Sequence, residues 1–326
     1  MSFSYSVAIR TLGKGGDKYR CELESIVRQT IQPERVVVYI AEGYEVPQYR
    51  IGREEYVAVP KGMVAQRALD YHEIGSEYIL LLDDDVFIPD DGVETLAKEM
   101  LENNADVIAA DVFKAQNNNW KGIIRDYISS MFYPEHSDVW AFRVLRNASC
   151  TYNSRPEPRA YLSQTAGGPA SLWKKSTMLA IHYADELWLD RMGFAWGDDQ
   201  LMFYKVFRNG FKLMVSYDSG IEHLDAKSAS TGFSKSSDRL YKRAMALFLL
   251  WYRSCYSPSD NSRWEKLRCK LNFSLKILEG LLVHIVYGLL KRQPSAVKAY
   301  LHGMSDGRRY AHKTLNHIPN YIVKCR

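Results

Sequence analysis

Three stretches of apolar and β-branched residues, Arg35–Ile40 (RVVVYI), Tyr78–Leu82 (YILLL) and Asp106–Ala110 (DVIAA), run without polar alternation. Strands of that kind are buried on both faces, which points to a mainly parallel sheet covered by helices. The segments between them agree. Ser6–Arg10 is a short apolar strand that ends in the glycine-rich turn Gly13–Gly16. A helix is read over Glu22–Thr30, where Leu23, Ile26 and Val27 recur at helical spacing before Pro33. Val57–Val59 reads as a strand, Val64–Tyr71 as a helix, and Asp90 or Asp91 as the cap of a helix through Met100–Leu101. Later, Ser171–Trp173 has strand or turn character and Phe211–Val215 is a strand. Asp199–Phe207 is a helix stopping at Asn209-Gly210. Helical patterns dominate from about Leu240. The fold class is α/β, with one α/β domain over 1–235 and a helical extension over 236–326.

The 326 residues, 46% hydrophobic and 25% charged, have the composition of a folded chain and not of a disordered one. The net charge of +5 matters less than its distribution. Basic residues crowd the region after 235, whereas acidic residues cluster around 83–91 and 185–199. No nucleic-acid motif accompanies the basic region, so no nucleic-acid partner is expected. The five cysteines are scattered and never spaced as C-x-x-C, so neither a disulfide framework nor a zinc site is indicated and a cytoplasmic location is expected. Phe273–Leu290 is the longest apolar stretch, but Lys276, Glu279 and His284 interrupt it. It reads as an amphipathic or buried helix and not as a membrane span.

The chemistry-bearing signals are local. Asp83-Asp84-Asp85 directly follows a fully apolar strand, where ligands bind in open α/β sheets. Three adjacent carboxylates repel one another, and a divalent cation with phosphate ligands would neutralise them. A solvated acidic turn leading into the next helix is the plain alternative. Asp198 and Asp199 open a helix after Trp196-Gly197, and either can be a general base or an N-cap. His223 follows a strand and can be structural or a metal ligand. Gly167-Gly168 permits close backbone approach to a ligand. Between Val112 and Gln164 lies a long irregular region rich in rings, including Trp120, Tyr127, Phe132, Tyr133, Trp140 and Tyr152, suited to sugar stacking or to core packing.

Taken in order, these elements resemble the family 2 glycosyltransferases, inverting enzymes of the GT-A fold. The resemblance rests on five stretches: Ser6–Arg10 with the Gln29-Thr30-Ile-Gln-Pro33 helix end, Lys61–Arg67, Leu82–Asp85, Gly167–Lys175 and Gly197–Leu201. It implies a Rossmann-like nucleotide-sugar-binding domain. Arg10, Thr11, Arg67, Asp83, Asp84, Gly167 and Gly168 would lie on the donor side. Asp85, assisted by Asp83 and His223, would hold Mn²⁺ or Mg²⁺. Asp199 would be the catalytic base beside Asp198, which stands where the family usually has Glu. The family's Asp-Asp-Gly-Ser after the second strand is replaced by Ala41-Glu42-Gly43, so Glu42 is the acidic candidate for the nucleotide base. The donor would be a UDP-, dTDP- or GDP-sugar and the acceptor a glycan or a lipid-linked one, as in surface polysaccharide or glycolipid synthesis. The C-terminal helices would either pack on the core or touch a membrane from the cytoplasmic face. A sugar-phosphate nucleotidyltransferase and a non-catalytic carbohydrate-binding protein are the competing readings; neither needs both acidic clusters.

Overall fold

The structure is a computed structural model and describes residues 3–112, 139–153, 156–192, 196–224 and 237–323. Its strands are β1 (Tyr5–Thr11), β2 (Val36–Ala41), β3 (Glu54–Val59), β4 (Tyr78–Asp83), β5 (Val86–Phe87), β6 (Val107–Ala110), β7 (Phe142–Val144), β8 (Cys150–Tyr152), β9 (Ala160–Leu162), β10 (Ala170–Lys174), β11 (Leu213–Ser216) and β12 (Glu222–His223). Eight of them form one sheet in the order β3-β2-β1-β4-β10-β6-β11-β9. The expected mainly parallel sheet is present. The exceptions are β10, antiparallel to both β4 and β6, and β9, antiparallel to β11.

Alternating side chains feed two cores. Val7, Ile9, Val36, Val38, Leu80 and Leu82 face one, which the helices Asp17–Val27 and Gly92–Glu102 cover. Ala8, Val37, Tyr39, Ile79 and Leu81 face the other. That second core also takes in Phe248, Leu250, Phe273 and Tyr300 from the C-terminal helices Ser237–Leu250, Arg263–Leu290 and Ser295–Lys313, and Trp251 from the π-helical turn Trp251–Tyr256. The strands therefore read as continuous apolar runs because both faces are buried. The boundary expected at 235 falls within 225–236, outside the described residues.

A buried ion cluster joins the two parts. Glu186 accepts from Arg253 Nη2 at 2.8 Å and from Lys205 Nζ at 3.2 Å. Burial opposes its charge, yet Arg253 and Lys205 hold its carboxyl below the usual range. Tyr321 donates to the Leu201 carbonyl at 2.8 Å, closing the C-terminal segment onto the helix Asp198–Arg208.

Three local expectations need correction. The first helix runs over Asp17–Val27 and not Glu22–Thr30. Gln29 leaves it to bond the Ser25 and Pro89 carbonyls and to accept from Val93 N–H, so the helix end is used to fasten the loop after the acidic turn. Val64–Tyr71 is a set of turns, not a helix. The Asp190 carboxylate takes the N–H groups of Val64 and Ala65, and Tyr71 at φ +52° stops propagation. Within the long region after Val112, residues 139–162 carry the hairpin β7–β8 and the edge strand β9. Trp120, Tyr127, Phe132 and Tyr133 lie outside the described residues. Trp140 packs edge-on against Phe207 at 6.1 Å and Tyr152 against Phe142 at 5.1 Å, so these two rings pack within the protein.

Candidate active site

Every parallel strand delivers its carboxyl end to one edge of the sheet, and β10, running the other way, delivers its start. Register places Arg10 beside Asp83 and Ala170 beside Leu82. The turn Gly167-Gly168-Pro169 thereby meets the acidic turn, and Asp83 N–H bonds the Pro169 carbonyl at 2.9 Å.

The three acidic side chains have different partners. Asp83 is gripped by Arg10 Nε, with Arg67 Nη2 at 3.8 Å. Burial opposes its charge, but the two guanidinium groups keep its carboxyl below the usual carboxylate range. Asp84 accepts from the Thr11 hydroxyl, and burial together with its acidic neighbours raises it. Asp85 lies 3.0 Å from His223 Nε2, because β12 pairs with β5 immediately after the turn. The ligand atoms of Asp83, Asp85 and His223 all lie within 4.8 Å of one another. Two carboxylates and an imidazole fit Mn²⁺ or Mg²⁺ in charge and in donor type.

Arg67 connects this turn to the second acidic pair. Its side chain is wholly buried; Nη1 bonds Asp198 at 2.5 Å and also contacts Asp199. Burial works against the guanidinium charge, and Asp199, Asp198 and Asp83 more than offset it. Asp198 has its backbone carbonyl bonded by the buried Tyr183 hydroxyl at 3.1 Å. Asp199 is a third exposed and accepts from Gly168 N–H at 3.1 Å. Burial pushes its carboxyl up to about 6 against the pull of Arg67, with Asp198 adding to the rise. Neither aspartate caps its helix through its side chain; Gly197, at φ +82°, occupies the N-cap position.

Gly168 is needed for this geometry. A Cβ there would run into the Asp199 carboxylate and Arg67 Nη2. Gly15 in the first glycine-rich turn is likewise pressed against the Asp84 carbonyl and Tyr19. Glu42 lies just beyond β2, exposed and two strands away from the acidic turn along the same edge.

Two contributors escaped the sequence reading. Glu22 is fully buried beneath the acidic turn, with Oε1 unpartnered and Oε2 3.5 Å from Val86 N–H. Burial first, then Asp84, raises its carboxyl well above the usual range. Its position four residues before Ile26, on the same helical stripe, was the available signal. Asp190 fixes the turn that carries Arg67, and nothing in its local sequence marks it.

A mainly parallel sheet whose carboxyl edge gathers these charges defines a GT-A-like fold. The family model described as Glycosyl transferase family 2 matches residues 59–153, the segment holding Arg67 and the acidic turn. That match agrees with the resemblance that the order of the motifs implied. Among solved structures it resembles S. aureus TarS 1-349 in complex with UDP-GlcNAc, with 12% identity and a TM-score of 0.50. That likeness spans 94% of this chain and 80% of the TarS 1-349 chain, and it bears on the fold alone. No curated protein matches the sequence.

Proposed function

We propose that the chain moves a sugar from a nucleoside-diphosphate-sugar to an acceptor hydroxyl, with inversion at the anomeric carbon. The observation that carries this reading is the link through Arg67 between the Asp83–Asp85–His223 group and Asp199. Mn²⁺ or Mg²⁺ held by Asp83, Asp85 and His223 would supply positive charge for the diphosphate and its leaving oxygen. Arg10 and Thr11 fix Asp83 and Asp84, and Arg67 keeps Asp199 oriented toward the Gly168 turn. Asp199, a third exposed, is the group that takes the acceptor proton, since a base with its pKa near working pH is the efficient one. Glu42 is the acidic group nearest the place where the family contacts the nucleotide base. UDP-sugars are the first donors to try, because the TarS neighbour holds UDP-GlcNAc. A glycan or lipid-linked acceptor on the cytoplasmic side, in surface polysaccharide or glycolipid synthesis, fits the fold and the basic C-terminal region.

Calorimetry with UDP, dTDP, GDP and CMP, with and without Mn²⁺, tests the donor site. Metal-dependent binding of one nucleoside diphosphate is expected, and Asp85→Asn is expected to abolish it. A folded protein that binds none of the four sinks the proposal.

A further inference from the structure

The helix Arg263–Leu290 has two apolar faces, and the described residues cover only one. On the covered face Phe273 stacks on Trp251 at 4.1 Å and Cys269 bonds the Cys255 carbonyl. Tyr300 packs where Gly280 leaves room for it and donates to the Ile277 carbonyl at 3.2 Å, while His284 stacks on its ring at 4.6 Å. The other face is exposed: Trp264, Leu271, Leu275, Leu278, Leu282 and Leu289 follow one another at steps of three, four or seven residues. Leu275 is 67% exposed and Leu289 75%. Soluble monomers seldom show a contiguous apolar surface of this kind without a use for it.

We infer that this face lies flat on an anionic lipid surface, independently of which sugar the enzyme transfers. The helix is long and apolar enough to cross a membrane. Crossing would require lipid around it, whereas one face is bound to the protein from Cys269 to Gly288. It therefore lies in the interface plane. The charges select the lipid. Arg263, Arg268 and Lys270 are exposed at one end and Lys291 and Arg292 at the other. The two acids of the helix are already paired, Glu265 with Arg146 at 2.6 Å and Glu279 with Lys276 at 3.1 Å. Cationic ends around an apolar band favour anionic headgroups. A second copy docked through a leucine seam would explain the seven-residue recurrence of Leu271 and Leu278, or of Leu275, Leu282 and Leu289. It would not explain why Val283, Val286 and Leu290 extend the apolar surface sideways, where a two-stranded coil carries charges.

The test is co-sedimentation of the full chain with vesicles of phosphatidylcholine, or of phosphatidylcholine with phosphatidylglycerol. Sedimentation with the phosphatidylglycerol vesicles is expected, weakened by salt and at least tenfold weaker with phosphatidylcholine alone. The triple variant Leu275→Gln, Leu278→Gln, Leu282→Gln is expected to lose vesicle binding at least tenfold, with its melting temperature and calorimetric nucleotide binding unchanged. Lys270→Gln, Lys291→Gln and Arg292→Gln together should remove the preference for phosphatidylglycerol. Wild-type protein left in the supernatant, or a leucine variant that sediments like wild type, overturns the inference. So does a wild-type dimer in ultracentrifugation that the leucine variant dissolves while vesicles bind neither. Loss of nucleotide binding alone, with vesicle binding intact, would count against the donor site and not against this surface.

Discussion

Asp199 sits between opposing influences: burial and Asp198 favour its proton, and Arg67 favours its charge. A base must be unprotonated to accept the acceptor proton, and below its pKa it is not. With donor saturating, the transfer rate should therefore fall about tenfold per pH unit below about 6 and level off above it. A rate that stays flat from pH 5 to 7 would remove Asp199 from the role. Gly168→Ala tests the same corner sterically. The added methyl meets the Asp199 carboxylate and Arg67, so transfer should drop by orders of magnitude, with a stability loss of about 1–3 kcal/mol by thermal melting. Glu22 makes the opposite case. Burial and Asp84 favour its protonated form, so Glu22→Gln, which keeps the shape without the charge, should change stability by less than ~1 kcal/mol. A large drop in the melting temperature at neutral pH would mean that the carboxylate is charged.

At the scale of elements, the helix Asp198–Arg208 bears the proposed base at one end and Lys205 further along. Lys205 and Arg253 share Glu186, and all three are buried. Glu186→Gln leaves the buried Arg253 without its counter-charge and Lys205 with only Asp185, 3.3 Å away, so the cost should approach the ~3–5 kcal/mol of a broken buried ion pair. Urea denaturation measures it, and a loss below ~1 kcal/mol would show that water reaches the cluster. Because the Glu186 carboxyl is depressed, its contribution is present above the ordinary glutamate range and fades as pH falls through it. The strands were readable because periodicity and burial agree in Tyr78–Leu82 and Arg35–Ile40. The turn at Val64–Tyr71 was not, because Asp190, more than a hundred residues away, decides it. The helix Arg263–Leu290 stayed open between core and surface since an apolar face reads the same whichever neighbour covers it.

For the molecule as a whole, the acidic turn and the paired aspartates could be singled out in the sequence, but their meeting could not. The sheet supplies that meeting by inserting β10 backwards between β4 and β6, which brings Gly168 to the edge where parallel strands end. Arg67 and Asp198 are 131 residues apart along the chain, and Arg10 and Asp83 are 73 apart. Contacts that close such long loops form slowly, because the chain entropy is lost before the contact exists. On dilution from denaturant, helical signal should return before nucleotide affinity does. The recovery of donor binding would then time the closing of the sheet, giving a kinetic clock for the last stage of folding.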